Sequence, residues 1–336
     1  MNNVLILGGL GFIGFHTALF FKKNNFNVVC IDALKNFFPF NSDQWSYYVK
    51  FRESELLKNN VKIIYKDLLT NTIDEEIVTY CPDYIINFVS LPVPSLCEIN
   101  PNQAKENIFD VNFKILESLK VHKGKFKRYV YISSSLVYGN FKIDDKGETI
   151  PPKEEDICSP IDLYGVLKLC SENILRQYSL RYKFEHIIIR PTAVYGPTDS
   201  NFRVVDLFVH KALKNDVIIL ENEGLHKLDF TYIDDCVKGI YLATTNSKYF
   251  NQTYNISYGV GRSIYELVLI LKEYFPNLQF IKSKHKPLRI FRGALNIEKA
   301  KNFLGYSPSF PLEKGINEYI SFLKSHYYNY INTNSN

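Results

Sequence analysis

An α/β fold, a parallel doubly wound sheet with helices on both faces, is predicted by two observations. Short apolar runs near Val4, Val28, Val61, Tyr84, Tyr129 and His186 alternate with longer helical stretches, the βαβα order that builds a parallel sheet. The first run, Val4 to Leu7, leads into Gly8-Gly9-Leu10-Gly11-Phe12-Ile13-Gly14 and then a helical pattern through Phe21 that closes at Lys22-Lys23-Asn24. Strand, glycine turn and helix in that order give Gly9-x-Gly11-x-x-Gly14 the context of a dinucleotide-binding turn. The glycines permit a tight bend, close backbone approach to a pyrophosphate and close helix-to-strand packing, while the helix start attracts phosphate. A length of 336 residues fits one such domain with a smaller second lobe.

The second run, Asn27 to Ile31, ends at Asp32, where an acidic residue binds the adenosine ribose hydroxyls. A carboxylate there repels a 2′-phosphate and favours NAD over NADP, a preference that the nearby Lys35 softens. The stretch from Phe37 to Asn60 is rich in aromatics (Phe37, Phe38, Phe40, Trp45, Tyr47, Tyr48) and is expected as a long, ordered connection between the second and third strands, near the adenosine or a neighbouring subunit. Further on, Tyr129 to Ile132 reads as a buried parallel strand that delivers Ser133-Ser134-Ser135 at its carboxyl end, the side on which such sheets bind ligands. Tyr164 and Lys168 follow, four residues apart, which sets a phenol and an ammonium on one helix face. A lysine cation nearby favours the phenolate, lowers a pKa of about 10 and makes tyrosine a usable general base. The spacing alone arises by chance in many helices; the glycine turn and the serines give it weight.

With these motifs in this order, the chain resembles the extended short-chain dehydrogenase/reductase family, in its NAD-dependent epimerase/dehydratase branch of nucleotide-sugar enzymes, from Val4 to about Phe322. The resemblance implies a Rossmann-type NAD-binding domain over residues 1–190, rejoined by 227–250, and a smaller carboxyl-terminal α/β substrate lobe over 191–226 and 251–325. The tail, 326–336, is polar and expected to fray. The cofactor residues so implied are Gly8, Gly11, Phe12, Ile13, Gly14, Asp32, Asp67, Leu68, Phe88, Val89, Ser90, Ser133, Tyr164, Lys168 and Pro191. Either Asn107 or Asn112 fills the family's helix asparagine. Arg190 to Pro197 resembles the segment that passes the nicotinamide and enters the sugar site, Leu228 to Asp235 the return strand and helix start, and Leu304 to Pro308 with Leu312 to Gly315 the closing motif.

Two departures from the family pattern narrow the expectation. Where 4,6-dehydratases carry Thr-Asp-Glu, this chain has Ser134-Ser135-Leu136, so the carboxyl groups that eliminate water are missing. Counting back from Val137 assigns the catalytic hydroxyl to Ser134, with Ser133 or Ser135 substituting if the register slips. The usual substrate-binding asparagine is replaced by Ala193, which suits a bulkier or differently oriented sugar, or a role taken over by Thr192 or Asn201. The implied substrate residues are Ser135, Thr192, Ala193, Asn201, Arg203, Arg262 and Arg292; forked guanidinium groups suit diphosphate oxygens, and a solvated surface charge is the plain alternative for each arginine. The function expected from the resemblance is epimerisation of a nucleotide-diphosphate sugar through oxidation at C4, with Tyr164 as base, Ser134 orienting the oxygen, Lys168 bonding the nicotinamide ribose and NAD carrying the hydride. A 4-dehydrogenase or ketoreductase is the alternative within the family, and a non-catalytic NAD-binding sensor the alternative outside enzymology.

Composition sets the limits. An apolar share of 46% with 22% charged residues is that of a soluble globular protein, and a net charge of +5 without one long basic stripe argues against a nucleic-acid partner. The clusters Lys282 to Lys286 and Lys120 to Arg128 read as solvated faces. No apolar stretch reaches membrane-spanning length, and the glycine turn starts too early for a signal peptide. Cys30, Cys81, Cys97, Cys158, Cys170 and Cys236 form no C-x-x-C pair and no metal pattern with histidine, which fits reduced thiols in a cytoplasmic protein without a metal. Cys158, six residues before Tyr164, is an extra acid or base or a packing thiol. His16, His122, His186, His210, His226 and His285 read as structural or surface residues. Helices at about 102–122 and 162–181 carry more apolar residues than sheet packing needs, and the resemblance implies a homodimer across them.

Overall fold

Alternation along the strands decides the architecture. In β1 (Asn3–Leu7), β2 (Asn27–Asp32) and β4 (Tyr84–Asn87), successive residues face opposite sides of the sheet. Val4, Ile6, Val28, Cys30, Tyr84 and Ile86 join one buried cluster, and Leu5, Leu7, Val29, Ile31 and Ile85 join another. Both faces are therefore apolar, as a parallel sheet sandwiched by helices requires.

The computed structural model describes residues 2–38, 42–285 and 290–328. With β3 (Lys62–Tyr65), β5 (Arg128–Ile132), β6 (Glu185–Pro191) and an edge strand Gln252–Ile256, these strands form one seven-stranded sheet. Its order is Gln252–Ile256, β6, β5, β4, β1, β2, β3, and every neighbour pair is parallel. The order reverses between β1 and β4, the switch point beside which doubly wound sheets bind ligands. The boundary expected at 251 moves: Gln252–Ile256 belongs to the sheet, because Tyr254 and Ile256 are fully buried beside β6. Helix Ile233–Thr245 also returns to the sheet, its Tyr241 ring lying 5.2 Å from Phe20 and 5.1 Å from Phe21 of α1 (Phe12–Lys23). The second lobe is built on helices Val204–Leu213, Ile264–Tyr274 and Leu312–Phe322 with the parallel pair Ile218–Leu220 and Phe280–Lys282. Its apolar residues join the same buried cluster as Val4 and Ile6.

Two expectations change here. The connection after β2 is not a loop but the 17-residue helix α2 (Ser42–Lys58). Its aromatic residues pack outward from it in three dimensions: Tyr48 is fully buried with its ring 5.3 Å from Tyr327, and Phe51 meets Phe15 at 6.4 Å and Phe322 at 5.5 Å. The tail is held at least to Tyr328, because helix Leu312–Phe322 continues into a π-helical turn, Leu323–Tyr328, that buries Tyr327 and stacks His326 on Phe322 at 4.7 Å. Phe40, Lys286 and residues 329–336, named above, lie outside the described residues. Among the described residues no helix is long and apolar enough to cross a membrane.

Candidate active site

Every residue assigned above to the cofactor lines one cleft of about 1080 Å³ along the carboxyl ends of the strands. The glycine turn fits a pyrophosphate because it has no room for side chains. A Cβ on Gly14 would stand 2.2 Å from the Gly8 carbonyl oxygen, one on Gly9 would stand 2.5 Å from Cys30 Cβ, and Gly8 takes φ +79°. No side chain caps the start of α1, so its first amides are available to an anion. At the end of β2, Asp32 accepts the Leu10 and Leu34 amides, both at 2.8 Å, and burial raises its pKa. The Lys35 ammonium is engaged by Asp67 at 2.9 Å, which withdraws it from a 2′-phosphate. Asn112 is spent in the core, accepting from Tyr129 Oη at 2.8 Å, whereas Asn107 reaches the cleft from a π-helical turn, Lys105–Asp110.

The three serines after β5 have three different environments. Ser133 Oγ turns inward and donates to Glu172 Oε1 at 2.6 Å. Ser134 lines the cleft and caps the short 3₁₀ turn Ser135–Tyr138, accepting from the Leu136 amide at 3.2 Å. Ser135 is buried against the cleft, and its Oγ has no hydrogen-bond partner among the described residues. Helix Leu163–Tyr182, capped by Asp162 Oδ1 on the Gly165 amide at 2.6 Å, presents Tyr164 in its first turn and Lys168 in the next. Lys168 is buried, donates to the Ile132 carbonyl at 2.8 Å and lies 5.6 Å from the centre of the Tyr164 ring.

Burial, not the lysine, sets the protonation of this pair in the protein alone. It pushes the Tyr164 phenol up to about 12, against the pull of the Arg203 charge, while Cys97 adds to the rise and the Ser90 hydroxyl opposes it. Burial also lowers Lys168 from 10.5 to about 7, which weakens the charge expected to draw the phenol down. The lysine shift carries a sign for stability. Between pH 7 and 10.5 the unfolded chain holds more protons at Lys168 than the folded one, so this residue's destabilising contribution fades as pH rises through that window. The melting-temperature gain of Lys168→Met over wild type should therefore shrink steadily from pH 7 to 10; a gain constant across that range contradicts the shift.

Pro191, Thr192, Ala193, Asn201, Arg203 and Arg292 also line the cleft. Arg203 Nη1 donates to the Val194 carbonyl at 3.0 Å, and Asn201 is braced on Asp199 Oδ1 at 2.7 Å through its amide nitrogen. Arg262 does not reach the cleft: its Nε meets Glu266 at 2.6 Å and its Nη2 meets Glu313 at 2.9 Å, two carboxylates that hold it on the lobe surface. Cys158 is also outside the lining, its thiol raised by burial and directed at the Asp156 carbonyl. Trp45 and Phe38, from the aromatic stretch expected near the adenosine or a neighbouring subunit, line the cleft too, with Phe38 edge-on to Phe202 at 5.2 Å; His226, read above as structural or surface, also lines it, and Phe202 and Phe230 had no sequence signal. Ala193 has φ +38°, a left-handed conformation that asparagine adopts at less cost than alanine. Ala193→Asn should raise unfolding free energy by about 1 kcal/mol in urea titrations; a loss of stability would show that the cleft cannot admit the longer side chain.

The model of the NAD dependent epimerase/dehydratase family matches residues 4–257, from β1 to the sheet's edge strand. The chain belongs to this family. Within the NAD dependent epimerase/dehydratase family, a putative UDP-glucose 4-epimerase of Methanocaldococcus jannaschii is 28% identical over 334 residues, covering 96% of this chain and 98% of the relative. An uncharacterized UDP-glucose epimerase of Bacillus subtilis is 27% identical over 333 residues, with the same coverage of 96% and 98%. Among solved structures, the UDP-glucuronic acid 4-epimerase from Bacillus cereus, in complex with UDP-glucuronic acid and NAD, matches with a TM-score of 0.84 at 24% identity over 96% of this chain and 99% of that one, a likeness of fold.

Proposed function

We propose that this family member is an NAD-dependent nucleotide-sugar epimerase that oxidises its substrate transiently at sugar C4. The observation that supports this reading is that Ser134, Tyr164 and Lys168 all line the cleft that also holds the glycine turn and Asp32. NAD, when bound, supplies the hydride acceptor and, through its cationic ring, a charge that draws the Tyr164 phenol down from about 12. Tyr164 then takes the proton of the C4 hydroxyl, Ser134 holds the oxygen in line, and Lys168 bonds the nicotinamide ribose and stabilises the phenolate. Once the keto sugar has turned its other face, Tyr164 would return the proton to its oxygen as the hydride held by the reduced cofactor returns to C4. The UDP-sugar epimerases among the relatives support this substrate class, and Ser135-Leu136, offering no carboxyl group to eliminate water, support epimerisation over dehydration.

Ser135 Oγ, Thr192, Asn201, Arg203 and Arg292 are the proposed substrate contacts, with the two guanidinium groups facing the diphosphate. A homodimer is the proposed assembly, supported by exposed Phe113 and Val121 on helix Val111–Val121 and exposed Val166 and Leu180 on helix Leu163–Tyr182. The proposed setting is the cytoplasm, in keeping with six unpaired cysteines, and the proposed role is supply of a polysaccharide sugar. Incubation with UDP-, GDP-, CDP- and dTDP-sugars in deuterated water, read by NMR, tests the reaction. A C4 epimer without ring deuterium and without net NADH is the expected product; accumulating NADH identifies a 4-dehydrogenase, and no turnover of any sugar nucleotide overturns the enzymatic reading.

A further inference from the structure

Between the glycine turn and the loop that carries Arg203 lies a buried guanidinium that the reaction above does not use. Arg52, on α2, is 3% exposed. Its Nη1 donates to the Leu10 carbonyl at 2.8 Å and its Nε to Thr198 Oγ1 at 3.3 Å, while its Nη2 donates to the Thr198 carbonyl. Among the described residues no carboxylate pairs with it directly; Asp199 and Asp32 act on it through space. A cation held this way, on backbone oxygens rather than on a counter-ion, fixes the position of two peptide groups more than it neutralises charge.

Those two peptides belong to two ligand sites. Leu10 sits inside the glycine turn, and its amide is bound to the Asp32 carboxylate at 2.8 Å, so both of its backbone polar groups are fixed. Thr198 sits in the loop from 193 to 203, which is unusually strained: Ala193, Thr198 and Phe202 have φ of +38°, +67° and +52°. A left-handed β-branched residue persists only where its surroundings hold it. A second tie comes from α1, where His16 Nε2 lies 2.8 Å from the Pro197 carbonyl. Burial lowers the imidazole to about 4, so it is neutral, and the proton on Nε2 is the one it donates to that carbonyl.

We infer that Arg52 is a positioning residue which, with His16, latches the strained 193–203 loop to the glycine turn, so that dinucleotide and sugar-nucleotide binding are cooperative. Ordering either side presents the other already shaped, and the coupling is reciprocal. The inference rests on the reading of the cleft as a site for NAD and a sugar nucleotide.

The test uses the full chain with Arg52→Gln and His16→Phe, the latter keeping a ring against Phe12 and Phe15. In wild type, saturating UDP should lower the NAD dissociation constant about 5-fold or more, and both variants should bind NAD and UDP separately with the coupling cut to within about twofold. In ligand-free protein, hydrogen exchange in Arg52→Gln should accelerate at residues 9–14 and 196–203 together. Coupling absent from wild type, coupling preserved in a folded variant, or faster exchange confined to α2 would each overturn the latch. If Arg52→Gln does not fold, His16→Phe decides alone, by loss or retention of the coupling. Failure of the epimerase reading looks different: wild type turns over no sugar nucleotide, while the exchange response still links the two loops.

Discussion

Replacing Tyr164 with phenylalanine is expected to lower kcat roughly 10²- to 10⁴-fold, the contribution of a positioned general acid–base group, while NAD affinity and melting temperature stay near wild type. The ring is held by the apolar cluster of Leu91, Cys97, Ala104 and Ile108, and phenylalanine keeps those contacts. What is lost is one hydroxyl that burial has already pushed up to about 12, a group whose desolvation costs stability rather than adding it. Ser134→Ala should cost less, because Ser134 aligns the oxygen and Tyr164 moves the proton. Steady-state kinetics on the sugar nucleotide identified by NMR measures both variants, and a Tyr164→Phe enzyme with full turnover would remove the tyrosine from the chemistry altogether.

Arg190→Leu is expected to cost about 3–5 kcal/mol of folding stability, the penalty for removing the buried partner of a buried carboxylate, which then keeps only the partly exposed Arg176, 2.8 Å from Glu172 Oε2. Arg190 donates from Nε to Glu172 Oε1 at 2.9 Å and from Nη2 to Glu172 Oε2 at 2.7 Å, with neither side chain more than 2% exposed. Its Nη1 also donates to Tyr138 Oη at 2.9 Å. Burial pushes the Glu172 carboxyl up, yet the Arg190 fork, the Ser133 hydroxyl and the Arg176 charge together hold it below the usual carboxylate value. Glu172 lies one helical turn beyond Lys168 and accepts Ser133 Oγ, so the pair fixes the reacting helix against β5 and β6. Urea titration should find the double variant Arg190→Leu/Glu172→Leu more stable than Arg190→Leu alone, since it removes the buried carboxylate and leaves unpaired only Arg176, whose side chain is 35% exposed. A double variant that loses the sum of both single losses would refute the account.

How much of this was legible in the sequence depended on how local the chemistry is. The glycine turn, Asp32, the serines, Tyr164 and Lys168 each announce themselves within a few residues, and the parallel sheet follows from apolar runs that alternate with helices, though neither its strand order nor its edge strand Gln252–Ile256 does. Arg52 was invisible because Leu10 is 42 residues away and Thr198 is 146 away. Helix α2 was hidden for a related reason: its aromatics find partners in Phe15, Phe322 and Tyr327 rather than in a regular stripe of its own. Arg262 showed a guanidinium but not the carboxylate of Glu313, 51 residues on, that occupies it. The choice between Asn107 and Asn112 turned on a π-helical turn, which shifts the facing of every residue after it. For Tyr164 the neighbouring lysine was readable and the depth of burial was not, and depth proved the stronger influence.

The buried cluster that runs without a break from β1 through helix Leu312–Phe322 to Tyr327 has a consequence for how the cleft works. Two lobes that share one apolar interior have no hinge to swing on, since opening them would expose that interior to water. Admission and release of a sugar nucleotide then fall to short wall segments such as 193–203, and turnover is paced by loops rather than by domain rotation. The same continuity ties the stability of each lobe to the burial of the other.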